Sequence, residues 1–290
     1  MKKTIYLSFI LPLLFAGCIS DESGTPQSKG YPIIVEVSDN PMLSEDGTPL
    51  LTQTRAGNPI DAESLKTDGF NLSYFSGSDV NTGICTYSTT WVTSDLSWPG
   101  NHNEEIDFYA YNGGTLNYGD GNPYVHFTVE GDVGSQKDLL VAKTSTSYNN
   151  SNGKVNLNFD HACSAVKFYI KKTDAVGGKS IQVTSVQLSN VKYKGDYYFS
   201  PTEGPKWKSL DGSATYELSN STITLTTDMQ ELSCGYLYLI PQSKAGITLT
   251  VKFTGGSKAG PYVHTWTSGS WEPGHEYVIN INMGTAVVGN

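Results

Sequence analysis

Hydrophobic and polar residues alternate along most of this chain, and the period is two rather than 3.6. Two such runs lie close together in KVNLNFDHACSAVKFYIKK, residues 154–172. Val155, Leu157 and Phe159 share one face, with Asn156 and Asn158 on the other. Val166, Phe168 and Ile170 then oppose Lys167, Tyr169 and Lys171. This period predicts extended strands with one buried face. Residues 160–165 between the runs are small and weakly patterned, and read as the crossing from one β domain into the next. Further strands are predicted at 33–37, 70–75, 84–88, 106–111, 125–129, 138–143, 222–226, 236–240, 247–253 and 277–283. Over 181–193 the buried phase slips. Ile181 and Val183 hold one phase, Val186 and Leu188 the other, so a β-bulge or break is expected at Thr184-Ser185. Glycine and proline punctuate the intervals, most densely over 39–59. Short strands separated by turns, with no long 3.6-period segment, predict an all-β protein of two tandem antiparallel β-sandwich domains. Their expected bounds are 31–160 and 161–290.

The first residues follow a different rule. Lys2 and Lys3 precede an apolar core over 5–15 that is too short for a permanent bilayer span. Ala16 and Gly17 then lead into Cys18. The order resembles a bacterial lipobox, which makes 1–17 a lipoprotein signal peptide and Cys18 the lipidated residue. Several acyl chains on Cys18, each contributing about 0.8 kcal/mol per buried CH₂, would hold the chain stably on the outer membrane. Residues 18–30 read as a polar tether. Its Ser20-Asp21-Glu22 resembles a surface-export signal, and 23–30 has linker composition.

Composition narrows the function classes. Of 290 residues, 38% are hydrophobic and 16% charged, enough apolar matter for two cores. A formal net charge of -9 without a basic patch argues against nucleic acid as a partner. Cys85, Cys163 and Cys234 lie far apart with no CxxC spacing, so no metal site is expected. Buried thiols are the plainer reading; a disulfide would leave one cysteine over. The five histidines have no partner at ligand or triad spacing. Asp160, His161 and Ser164 invite a catalytic reading, but triads are defined by geometry rather than adjacency, and these residues line a strand crossing. No nucleophile elbow, zinc-protease helix or P-loop occurs, so neither an enzyme nor a cofactor is expected. Among the aromatics, Trp98 and Trp207 stand in turn-rich stretches and are the best candidates for exposed ligand platforms.

The segment VNLNFDHACSAVKFYI also resembles the L-x-F-x-H-x-x-S-x-V-x-F segment of the bacteroidal fimbrillins, subunits of type V pili. IDFYAY at 106–111, DLLVAKT at 138–144, YLIPQ at 238–242 and WEPGHEY at 271–277 follow in matching order. The resemblance implies transthyretin-like sandwiches packed end to end. It also implies that the exported precursor is cut in a loop resembling LLTQTRA, residues 50–56, by an arginine-specific protease. Arg55 is the only arginine in the chain, so the expected processed bond is Arg55–Ala56.

Assembly by strand exchange follows as an expectation. Ile33, Val35 and Val37 would form the displaced strand. Losing them would open a sheet edge and an apolar groove, both costly in water. An extended segment from another fimbrial subunit would fill the groove. The candidate donor is the last strand, with Tyr277, Ile279, Ile281 and Met283, extended by 286–288. A stalk, tip or anchor role in a fimbria serving adhesion to a host or bacterial surface ligand would fit. The alternative is a surface glycan-binding lipoprotein that never polymerises.

Overall fold

The computed structural model describes residues 30–50, 62–76, 79–119, 121–200, 206–219, 221–255 and 261–284. Alternation dictates the architecture, because every strand must bury its apolar face against another layer. A seven-stranded sheet runs in the order Ile34–Asp39, Lys154–His161, Leu140–Thr146, Ile106–Tyr111, Phe70–Ser76, Asp79–Tyr87 and Trp91–Thr93. One face sends Phe70, Leu72, Phe108, Leu140, Leu157 and Phe159 into a first core. The helix Ala62–Asp68 adds Leu65 to that core.

The opposite face of this sheet is covered as well. Trp207–Asp211, Lys194–Tyr198, Asn122–Thr128 and Thr115–Gly119 form a four-stranded sheet against it. Tyr109 meets Phe199 with ring centroids 5.0 Å apart, and Phe75 meets Tyr118 at 5.2 Å. Two further sheets complete the second core, to which Tyr109, Val125, Phe127 and Tyr197 of the first two sheets also contribute. The first orders Gln230–Glu231, Ser164–Lys172, His275–Met283 and Leu43–Ser44, with Leu237–Leu239 also on Ser164–Lys172. The other orders Ala214–Glu217, Gln182–Val191, Thr248–Thr254 and Tyr262–Thr265, with Ile223–Thr224 also on Gln182–Val191. Pairings join both sides of residue 160: Asn122–Thr128 pairs with Lys194–Tyr198, and Leu43–Ser44 with His275–Met283.

The all-β expectation holds. The expected slip in Gln182–Val191 is a register shift between Val183 and Ser185, and Val183, Val186 and Leu188 are all fully buried. The crossing is tighter than expected: only Ala162 and Cys163 separate Lys154–His161 from Ser164–Lys172. Residues 144–153, between two expected strands, contain a strand end and the short helix Tyr148–Ser151. Thr115–Gly119 is a strand that lies between the expected strands at 106–111 and 125–129. It lacks alternation and is held by backbone pairing to Asn122–Thr128. Three pairings are parallel: Ile34–Asp39 on Lys154–His161, His275–Met283 on Ser164–Lys172, and Leu43–Ser44 on His275–Met283.

The crossing is fixed by polar staples. Buried Asp138 accepts from His161 Nδ1 at 2.6 Å and from the Cys163 amide at 3.1 Å. The Ser164 hydroxyl donates to the Glu272 carbonyl at 2.7 Å, and the Gly274 amide donates to the Cys163 carbonyl at 2.8 Å. Trp207 Nε1 donates to the Ala162 carbonyl at 2.7 Å. Burial alone would lower the pKa of His161. The hydrogen bond and charge of Asp138, with smaller contributions from Asp39 and Asp160, outweigh it and hold the imidazole above its ordinary 6.5. The raised value means the stability from this pair is fully present below pH 6.5 and is lost as pH rises through the folded-state pKa. Asp138→Ala is expected to cost about 3 kcal/mol near pH 6, because it strands a buried imidazole and an amide. Urea denaturation across pH 5–9 should show the gap to the parent chain narrowing toward the alkaline end. A constant gap would mean His161 is not charged in the fold.

Candidate strand-exchange site

The leading strand sits at the edge of the seven-stranded sheet. It runs parallel to Lys154–His161, from Ile34 opposite Lys154 to Asp39 opposite Phe159. Its ends are fixed by the Ile34 amide on the Gly153 carbonyl at 3.1 Å and the Asn40 amide on the Phe159 carbonyl at 2.8 Å. Ile33 and Val35 are each 5% exposed and belong to the first core, while Val37 packs half-buried against it. Polar contacts line the outer side: Glu36 with Lys154 at 2.6 Å, Ser38 with Asn158 at 3.0 Å, and Asn40 with Asp160 at 2.7 Å. These are solvent-exposed and set register more than they add stability.

A parallel edge strand is joined to its neighbour by no hairpin. The route from Asp39 to Lys154 passes through the whole first sandwich. The covalent link of the leading strand to the rest of the fold therefore runs through the segment that follows it, while Pro32 bridges Ser97 and the Trp98 amide donates to the Tyr31 carbonyl at 2.9 Å. That segment crosses to the second core. Met42 is buried there, and Leu43–Ser44 pairs with the last strand at His275 and Glu276. The Leu43 amide donates to the Gly274 carbonyl at 2.7 Å. A cavity of about 480 Å³ lies under this crossing, lined by Asn40, Leu43, Asp160, His161, Lys206 and Gly274 among others. Sequence patterning missed this second anchor. Met42 and Leu43 stand between Pro41 and Pro49 with no alternation to reveal them.

The last strand occupies the same kind of place in the second sandwich. It runs parallel to Ser164–Lys172, from Ala165 opposite Glu276 to Lys172 opposite Met283. Tyr277, Ile281 and Met283 are buried and Ile279 is half-buried. Leu43–Ser44 covers its other edge only at His275 and Glu276. Beyond Glu276, no strand pairs with that edge among the described residues.

The residues that could carry chemistry are engaged in structural contacts. Asp160, His161 and Ser164 do not form a relay: His161 bonds Asp138, Ser164 bonds a carbonyl, and Asp160 faces Asn40 and Lys206. Trp98 and Trp207 are not ligand platforms. They are 4% and 5% exposed, and their indole N–H groups donate to the Gly153 and Ala162 carbonyls. Turn-rich flanks do not reveal that a loop folds back over a core. Cys85, Cys163 and Cys234 are free thiols. Burial raises Cys85 and Cys234 to about 11 and Cys163 well above its ordinary value, which disfavours the reactive thiolate. Among the described residues, no group of three or more His, Cys, Asp or Glu could hold a metal ion. Cys18, Arg55, Ala56 and 286–288 lie outside the described residues.

Known proteins share this fold. A fimbrial protein from Bacteroides vulgatus superposes with a TM-score of 0.54 at 18% identity, covering 87% of this chain and 95% of its own. A candidate cell adhesion protein from Bacteroides ovatus gives 0.54 at 15% identity, covering 88% and 93%. A similar protein from Bacteroides eggerthii gives 0.53 at 11% identity, covering 89% and 88%. At these identities the likeness establishes the fold. No curated protein matches the chain. Residues 51–290 match the fimbrillin-like family, and since that span includes all five motifs of the sequence and nearly all of both cores, the chain belongs to the fimbrillin-like family.

Proposed function

We propose that this chain is a stalk, tip or anchor subunit of a cell-surface fimbria serving adhesion. In this reading it is exported as an outer-membrane lipoprotein through Cys18 and assembled by protease-triggered strand exchange with other fimbrial subunits. One observation carries the reading. The leading strand is a parallel edge strand that fills the first core with Ile33 and Val35, and its link to the rest of the fold runs through the segment containing Arg55. Cutting Arg55–Ala56 severs none of the described strands, and turns a covalent part of the sandwich into a bound ligand. Its departure leaves one edge of Lys154–His161 unpaired and the Ile33 and Val35 sites empty. Each site is worth about 1.5–3 kcal/mol of apolar burial. Water cannot fill that groove favourably, and an extended strand can. The same cut releases Leu43–Ser44 from the last strand, so one event loosens both sandwiches.

The buried glycan-platform candidates leave the non-polymerising alternative without a supporting feature. For the proposed subunit, brief treatment of a chain lacking 1–17 with an arginine-specific protease should give one cut after Arg55. Ladder-like oligomers should follow by gel and size exclusion, and Arg55→Ala should stay whole and monomeric. A protected Arg55, or a cut chain that never associates in any subunit mixture, would overturn the proposal. After cutting, the leading fragment should remain bound until displaced. Ile33→Ala should lower its hold by about 2 kcal/mol, near thirtyfold in dissociation constant. Fluorescence of a labelled fragment under dilution measures this directly.

A further inference from the structure

The leading segment and the body of the fold meet over the cavity of about 480 Å³. Asn40, Leu43 and Pro49 line it from the leading segment, and Asp160, His161, Tyr197 and Lys206 from the other side. Small-molecule sites have volumes of about 300–1,000 Å³, so this one is of the right size. Two side chains in its wall are almost wholly buried, yet each keeps a polar atom without a protein partner. His161, its side chain 4% exposed, uses Nδ1 on Asp138 at 2.6 Å and leaves Nε2 unpaired. Tyr197 is 2% exposed, and its hydroxyl makes no hydrogen bond among the described residues. Among those residues, the unpaired polar side-chain atoms fully shut off from solvent are the Tyr216 hydroxyl and Trp271 Nε1. The His161 and Tyr197 atoms therefore reach open space, and the cavity is the space that both residues line. Buried polar atoms are ordinarily paired, so two unpaired ones on one cavity point to an occupant.

A further pair is held apart. Asp160 accepts from Asn40 Nδ2 at 2.7 Å through one carboxylate oxygen, and the other lies 4.0 Å from Lys206 Nζ. That gap is too wide for a hydrogen bond. One hydroxyl between them can accept from the ammonium and donate to the carboxylate. The charges disfavour an ion in the same place. An anion would meet Asp160, with Asp39 and Asp138 acting on the same imidazole, and a cation would meet Lys206 and an imidazole whose charged form Asp138 favours. A neutral group that both donates and accepts suits every partner. Asp138 fixes a proton on His161 Nδ1, so Nε2 donates when the ring is charged and accepts when it is neutral, and a hydroxyl answers either. Pro41, Pro49 and Pro273 add apolar wall for the C–H face of a ring.

We propose that this cavity binds a neutral polyhydroxylated molecule the size of one sugar unit, with its hydroxyls on Asp160, Lys206, His161 Nε2 and the Tyr197 hydroxyl. Because Asn40, Leu43 and Pro49 form part of the wall, the site is complete only while the leading segment is in place. A ligand that binds this closed form alone favours it by mass action, so occupancy strengthens the hold on the leading segment. The site is a latch on the uncut chain rather than an adhesive platform. Its binding step is independent of strand exchange.

The uncut chain lacking residues 1–17 is titrated with glucose, galactose, mannose, fucose and N-acetylglucosamine by calorimetry and thermal unfolding, with acetate and methylammonium as ion probes. At least one sugar should bind with a Kd below about 10 mM and raise the melting temperature, and neither ion should. Tyr197→Phe should weaken that sugar about fivefold and Asp160→Asn about tenfold. Tyr197→Phe should leave the melting temperature of the free chain unchanged, because its hydroxyl bonds nothing in the protein. The methyl glycoside separates two sources: equal binding assigns the site to the end unit of a glycan, and lost binding to a free sugar. In a chain with a site-specific protease sequence across 52–56, a labelled leading fragment should leave about threefold more slowly with the sugar present. If no sugar binds, the cavity holds water only and the proposal falls. It falls as well if an ion binds instead, or if binding is indifferent to both substitutions. Sugar binding with unchanged fragment release overturns the latch. A fragment that never leaves, with or without sugar, tells against strand exchange while the binding result on the uncut chain stands.

Discussion

The structure depends on a strand that is essential to a core yet attached to it by no turn. Ile33 and Val35 complete the first core, so the sandwich cannot be whole without them. Their strand pairs in parallel at a sheet edge, so it is held by a ladder, its side-chain contacts, a bridge from Pro32 to Ser97 and the segment that follows it. An antiparallel hairpin strand of the same composition would remain tethered through its turn after a cut elsewhere. Parallel pairing removes that tether. It leaves the strand joined to its sandwich by non-covalent contacts and by the connecting segment.

The second constraint is the crossing. Ala162 and Cys163 are the only residues between two strands that serve different cores, and the backbone there would be free to flex without help. Asp138, His161, Ser164, Glu272, Gly274 and Trp207 supply hydrogen bonds to it from three directions. All but Trp207 lie in the five segments singled out in the sequence. Their contribution is positional: they hold the first groove, the leading segment and the base of the last strand in one frame. Met42 and Leu43–Ser44 cross that frame, which is why a single segment reports on both sandwiches.

Much of this was legible in advance. Alternation located the leading strand, both crossing strands and the last strand within a few residues, because each has one buried face. The phase slip in Gln182–Val191 was visible for the same reason: a bulge must appear wherever two in-phase runs meet out of step. Patterning failed where burial is not periodic. Trp98 and Trp207 looked exposed because their flanks are turn-rich, yet both indoles close over cores. The structural partner of His161, Asp138, lies 23 residues away and left no mark in the pattern.

The sequence by itself determined the class of the fold, the alternating faces of its strands and the family to which they belong. These are local properties, written in side-chain period and in short motifs. Tertiary structure decided which strands are neighbours, in which direction they run, and what stands at their ends. Direction of pairing leaves no mark on alternation, since parallel and antiparallel strands bury alternate residues alike. The parallel edge place of the leading strand and the second anchor of its following segment on the last strand arise from residues far apart in the chain. Only the folded arrangement brings them together.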